Sequence, residues 1–382
     1  MSKSNHKIYL DYASSALVSS ANPSAIHELG VREKQKLERA RKKIADILSV
    51  HPDEIIFTSG ATESNNMAIL GIRRGHIVTT NIEHASVLEP ARHRGNVTFV
   101  EVEKNGIVDP EKIKKVLRPD TVLVSVMYAN NEIGTIQPIK EIAKVIRHFR
   151  KNYPYLTSSL PRGRKKEGVY PLFHTDAVQA VNYLPIQVPA LGVDLLSLNA
   201  AKIYGPKGVG ALYVKRNTPI SKIMWGGDQE GGLRPGTENV LGAEALAKAL
   251  EETEEVKEKE VERLIKLRNY FISCLIRANK RIVLNGDQEK RLPNNINITV
   301  PKIPSDLLVL ELSARGIMAS AKSACKAGDG KASHVIQAIN SKVNDLDGSL
   351  RFSLGRDTTK GDVDYVVRAL NQILKKLKRW YD

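Results

Sequence analysis

Cysteine is scarce: the chain of 382 residues has two, Cys274 and Cys325. Two thiols are too few for a disulfide framework, and they lack the short paired spacing of a zinc cluster. Each is either a buried hydrophobe or a reactive thiol, and composition does not choose between them. Long apolar runs are also missing. One of the longest, residues 121–127, falls far short of the roughly 20 that a membrane span needs. The first ten residues carry no apolar core ahead of a cleavage site. Repeats and low-complexity tracts are absent. The chain is therefore expected to be soluble and cytoplasmic.

Acidic residues are fewer than basic ones, 42 against 58, which leaves a formal charge of +16. That excess points to an anionic ligand or a nucleic-acid partner. Many cations, however, sit in mixed Lys/Glu stretches such as 252–266, which read as solvated helix faces. With 42% hydrophobic and 26% charged residues the chain is globular, and neither disordered nor collagen-like. Its length suits one large domain with a smaller one.

Short β-branched runs alternate with stretches of helical period. Strands are expected at 54–58, 76–80, 97–102, 121–127, 172–176, 193–197 and 210–214, and helices at 61–71, 110–116 and 139–150. Near-continuous apolar strands joined by helices predict an α/β fold, with a mostly parallel sheet covered on both faces. Ligands of such sheets gather beyond the C-terminal strand ends. After Gly242 the texture changes. A charged helical stretch at 243–279 leads to apolar segments at 294–300, 307–312 and 350–354, then a last helix around 362–380. The expected division is a large domain at 13–242, and a smaller α+β domain of 1–12 with 243–382. Residues 153–170, basic and turn-rich, read as an exposed insertion.

Three strand ends carry candidate chemistry. At 58–66 (TSGATESNN) a strand gives way to small residues and then a helix, whose free N–H groups and the Thr62 hydroxyl suit a phosphate or carboxylate; an ordinary capped turn would look the same. Asp176 ends an apolar strand, where an unpaired carboxylate is costly. It would suit a cationic ring nitrogen, with Gln179 near the same ligand, or it could cap a helix. Lys202 follows another apolar strand and precedes a Gly-Pro-Lys-Gly turn; a desolvated lysine there becomes a nucleophilic amine. A phosphate-ready turn, a strand-end Asp and a strand-end Lys together match the needs of pyridoxal 5′-phosphate.

With these residues in view, the sequence resembles the cysteine desulfurases of the iron–sulfur-cluster-assembly type, class-V aminotransferase-like enzymes of pyridoxal-phosphate fold type I. The likeness runs in order through 8–14, 22–27, 58–66, 82–88, 130–134, 174–181, 202–208, 234–239, 323–325 and 351–356. It implies that Lys202 is the Schiff-base lysine and that His84 stacks on the cofactor ring and shuttles protons. Asp176 would pair with the ring nitrogen, and Gln179 and Asn131 would serve the ring oxygen and the substrate side. Ala61 and Thr62 would contact the phosphate, as would Thr237 from across a homodimer interface. Arg351 would hold the carboxylate of L-cysteine as a bidentate fork. Cys325 would be the nucleophile that takes the substrate sulfur and releases alanine, which requires a mobile loop such as 326–332. The resemblance further implies a protein sulfur acceptor, for iron–sulfur clusters or thiolated tRNA. Cys274, within the helical pattern 270–277, reads as a core thiol.

The match breaks in two places. The family usually reads Ser-x-His-Lys at the lysine, whereas here residues 199–202 are Asn-Ala-Ala-Lys. Asn199 can still offer an amide N–H to the phosphate, but Ala201 has no side-chain donor, so weaker cofactor retention is expected. In addition, residues 17–21 stand where the family has a further helix. Two other readings follow: a degenerate paralogue that binds tRNA or an acidic carrier without catalysis, and a selenocysteine lyase. Retention of His84, Asp176, Gln179, Lys202 and Cys325 together argues against the first.

Overall fold

The computed structural model describes residues 21–153, 170–321, 333–342 and 347–381. The first two-thirds of the chain alternates helix and strand: α1 Glu28–Leu48, β1 Ile55–Thr58, α2 Ala61–Leu70, β2 His76–Thr80, α3 Ala85–Arg94, β3 Val97–Val100, α4 Pro110–Val116, β4 Thr121–Ser125, α5 Ile139–Asn152, β5 Leu172–Asp176, α6 Val188–Leu191, β6 Leu195–Asn199 and β7 Gly210–Val214. These strands form one sheet in the order β1-β7-β6-β5-β4-β2-β3. Four neighbouring pairs, joining β3, β2, β4, β5 and β6, are parallel, and β7 is reversed, antiparallel to both β1 and β6. The expected mostly parallel, helix-covered sheet is therefore present. β1, β2, β4, β5 and β7 are buried along their whole length, and β6 is buried up to Asn199 at its end, as strands covered on both faces must be.

Helix α1 was not among the expected elements. Its sequence is heavily charged, yet Leu37, Ala40, Ile44, Ala45 and Leu48 recur at helical spacing and are buried. The His27 ring accepts from the Gly30 N–H at its start, and Ser49 ends it in the left-handed region.

The rest of the chain comprises α7 Val240–Ala278, β8 Val283–Leu284, β9 Asn295–Val300, α8 Ser305–Ser313, α9 His334–Ile339, β10 Gly348–Ser353 and α10 Lys360–Tyr381. The apolar segment at 307–312 is thus a helix, whereas those around 294–300 and 350–354 pair as antiparallel strands. The long helix α7 joins two cores. Its first turns bury Val240, Leu246 and Leu250 in the core of the large sheet, and its later turns bury Leu264, Phe271 and Leu275 against β9, β10 and α10. Cys274 lies on this helix half-buried rather than in the core, because the apolar stripe passes through Phe271 and Leu275 and leaves position 274 at its margin. No described helix is long and apolar enough to cross a membrane.

Candidate active site

The parallel strands deliver their C-terminal ends to one rim of the sheet, and a cavity of about 460 Å³ opens there. Ala61 and Thr62 reach it from the start of α2, His84 from beyond β2, and Asn131 from the loop after β4. Asp176 and Gln179 come from the end of β5, Asn199 and Lys202 from the end of β6, and Arg351 from β10 in the second sheet. Nine positions singled out in the sequence thus share one cavity wall. Thr237 does not join them; it is exposed in the segment before α7. Cys325 lies outside the described residues, as do residues 1–20, the insertion at 154–169 and the loop at 326–332. The described chain on either side of Cys325 is near the site: Ser320 exchanges two backbone hydrogen bonds with Arg351, and the Ser333 hydroxyl donates to Glu132 at 2.5 Å.

Asp176 sits at the end of a fully buried strand. Its carboxylate accepts from the Asn65 side-chain amide at 2.7 Å and from the Val178 N–H at 3.0 Å. Neither partner is a cation, and burial pushes its pKa up. Such a carboxylate, facing a cavity of this size, is suited to a cationic nitrogen on a ligand ring. Behind it His174 is wholly buried between the hydroxyls of Ser125 and Ser197, at 2.8 and 3.0 Å. Burial lowers its pKa to about 3, so this imidazole is neutral and structural.

An anion cradle lines the same cavity. Gly60 precedes α2 with φ +148°, where a side chain would be strained. The Asn199 amide nitrogen is 3.9 Å from where a Cβ on Gly60 would stand, and Asn199 Oδ1 accepts from the Ala201 N–H. The start of α2, through Ala61 and Thr62, and Asn199 thus line the same part of the cavity wall, a setting that suits a phosphate. Ala201 lines the same wall and offers no side-chain donor.

On the opposite side, Arg351 donates from Nη1 to the Asn131 carbonyl oxygen at 3.0 Å. Its Nε is buried without a partner. A guanidinium with an uncommitted N–H in a cavity wall suits a carboxylate. Lys202 departs from the sequence expectation in one respect: it is solvent-exposed, so the described residues do not themselves provide the desolvation that makes an amine nucleophilic.

Sequence reasoning gave no role to two buried residues that hold this site together. Asn65 lies on the inward stripe of α2 with Ala61, Ser64 and Ala68, and Ser86 opens α3 beside His84. The signal was present in Asn65, an amide on an otherwise small and apolar stripe. Glu83, next to His84, is also fully buried. Its carboxyl accepts from the Thr80 hydroxyl at 2.7 Å and the Met127 N–H at 2.9 Å, which ties the end of β2 to the end of β4. Burial raises its pKa to about 8.

A ring-nitrogen carboxylate, an anion cradle and a lysine around one cavity at the strand ends define a pyridoxal-phosphate-dependent enzyme of fold type I, and the residues present fit that cofactor. The chain belongs to the aminotransferase class-V family, whose model matches residues 6–153 and 163–366. It is similar to the cysteine desulfurase IscS of Dictyoglomus turgidum, 41% identical over 97% of this chain and 95% of that protein. It is also similar to cysteine desulfurase IscS of Methanosarcina thermophila, 43% identical over 94% of this chain and 86% of that one. Among solved structures, a NifS-like protein superposes with a TM-score of 0.82 at 34% identity, over 94% of this chain and 92% of the other.

Proposed function

We propose that this chain is a pyridoxal-phosphate-dependent cysteine desulfurase that works in the cavity at the strand ends. The observation that carries the reading is the convergence of Asp176, Lys202, the Gly60–Asn199 cradle and Arg351 on one space. The comparisons support it through relatives that match nearly the whole chain.

Lys202 would carry the cofactor through its amine, and Asp176 would hold the ring nitrogen. Ala61, Thr62 and Asn199 would bind the phosphate, and Gln179 and Asn131 the ring oxygen and the substrate side. Bound pyridoxal phosphate supplies an electron sink for charge that develops on the substrate carbon. Arg351 orients L-cysteine by its carboxylate, while Asn65 holds the Asp176 carboxylate in place. His84 is placed to pass a proton. The Cys325 thiolate attacks the substrate sulfur: a sulfur–sulfur bond forms, the carbon–sulfur bond breaks, and the electron pair left on carbon takes a proton. The products are alanine and a persulfide on Cys325. Because Ser320 and Ser333 bracket the segment close to Arg351 and Glu132, the tether on this thiol begins and ends near the cavity.

Further parts of the reading are a homodimer, in which Thr237 serves the partner's phosphate site, a division into a large domain of 13–242 and a small domain of 1–12 with 243–382, and a cytoplasmic location. The persulfide sulfur would pass to a protein acceptor for iron–sulfur assembly or tRNA thiolation. The non-catalytic and selenocysteine readings are not favoured by the relatives. Incubation with L-cysteine and with L-selenocysteine, followed by alanine analysis, tests the function. Release from cysteine supports it; release from selenocysteine alone, or from neither, overturns it.

A further inference from the structure

Asn65 is a donor to both of its neighbours in the hydrogen bonds behind the cavity. Asn65 Nδ2 donates to Asp176 Oδ2 at 2.7 Å and to Ser86 Oγ at 2.8 Å. The amide orientation follows from its neighbour: an ionised carboxylate only accepts, so the atom facing Asp176 is the nitrogen. Asn65 Oδ1 is left buried without a partner, a cost that a flipped amide would exchange for oxygen facing oxygen. Since Ser86 Oγ already accepts from Asn65, its single hydroxyl proton is free to point elsewhere. His84 Nδ1 lies 2.8 Å from that oxygen. The Ser86 backbone N–H is directed at the same ring nitrogen, at 3.2 Å. Two donors therefore face Nδ1, and a ring nitrogen facing two donors carries no proton of its own.

We propose that Asn65 and Ser86 are positioning residues that hold His84 in the tautomer protonated at Nε2: Asn65, fixed by donating to the Asp176 carboxylate, also donates to Ser86, whose hydroxyl and backbone N–H donate to Nδ1. His84 then presents N–H from Nε2 and keeps its lone pair turned toward Ser86. It acts as a donor in the cavity, and it takes up a proton at Nδ1 only by breaking both bonds to Ser86. A residue identical in type but held the other way round would present a base. These bonds also explain why two polar side chains are buried on the helices that flank Asp176: Asn65 is fully buried and Ser86 nearly so.

This rests on reading His84 as part of the active site, but its test reports on the ring itself. The full-length chain is labelled with 15N-histidine, and long-range proton–nitrogen spectra are recorded with and without added pyridoxal phosphate. His84→Gln assigns the resonance. The wild type is expected to show His84 protonated at Nε2. Ser86→Ala and Asn65→Asp are expected to shift the tautomer ratio toward Nδ1–H by roughly five-fold, the worth of one hydrogen bond; in Asn65→Asp the new carboxylate draws the Ser86 hydroxyl off the ring. Ser86→Thr, which keeps the hydroxyl, retains the wild-type pattern. An Nδ1–H tautomer in the wild type overturns the proposal even if neither variant folds, and so does an unchanged ratio in folded Ser86→Ala. Failure to release alanine from cysteine would instead overturn the proposed function, leaving the tautomer assignment standing.

Discussion

Arg351, on the edge of the second sheet, donates from Nη1 to the main-chain oxygen of Asn131, 3.0 Å away at the rim of the first. One residue thus both joins the two sheets and lines the cavity, with its Nε–H left buried and unpartnered.

The first expectation concerns that fork. Lysine in place of Arg351 keeps a positive charge but cannot grip a carboxylate with two parallel bonds. Loss of one charge-assisted bond is worth about 1.5–3 kcal/mol, so Arg351→Lys should raise the KM for cysteine by ten-fold or more. Steady-state alanine release measures it, and an unchanged KM would place the carboxylate elsewhere.

Lys202→Ala removes the only amine among the described residues that line the cavity. The purified wild type should be yellow, and this variant should lose the visible band and release no alanine. A wild type that stays colourless after cofactor addition contradicts the cofactor assignment.

Ala201 lines the phosphate cradle and offers it no side-chain donor. Ala201→His should restore a charge-assisted contact and slow cofactor loss by about ten-fold or more. Dialysis followed by absorbance gives the result, and equal loss from both proteins would mean that the cradle already satisfies the phosphate.

Glu83 makes stability depend on pH. Its carboxyl has a pKa near 8 when folded against a reference of 4.5, so the neutral form is the one the fold favours. This contribution is complete below pH 4.5, declines as the pH rises, and is lost once the folded group ionises near 8. Glu83→Gln should remove that slope, worth on the order of a few kcal/mol. Melting temperatures across this range should then diverge between the two proteins, and parallel curves would contradict the assignment.

Much of the site was legible because its residues sit at strand ends. Asp176 and Lys202 each follow an apolar run, and a polar group there either faces a ligand or is buried at a cost. Direction was not legible: the apolar pattern of β7 is the same whichever way the strand runs, and its reversal came only from pairing. Nor was burial at single positions, since Lys202 proved exposed and Cys274 half-buried. The Asn65–Ser86 pair escaped notice because its meaning depends on Asp176, more than 100 residues away in sequence. Thr237 lies outside the cavity of its own chain, and a role across a dimer leaves no mark in one copy.

Sulfur is expected to leave cysteine for Cys325. Anaerobic incubation of the purified chain with L-cysteine, followed by peptide mass analysis, tests it most directly. The account predicts one added sulfur atom on the peptide containing Cys325, alanine in equal amount, and neither product from Cys325→Ala. Sulfur found on Cys274 instead, or undiminished alanine release from Cys325→Ala, would contradict it.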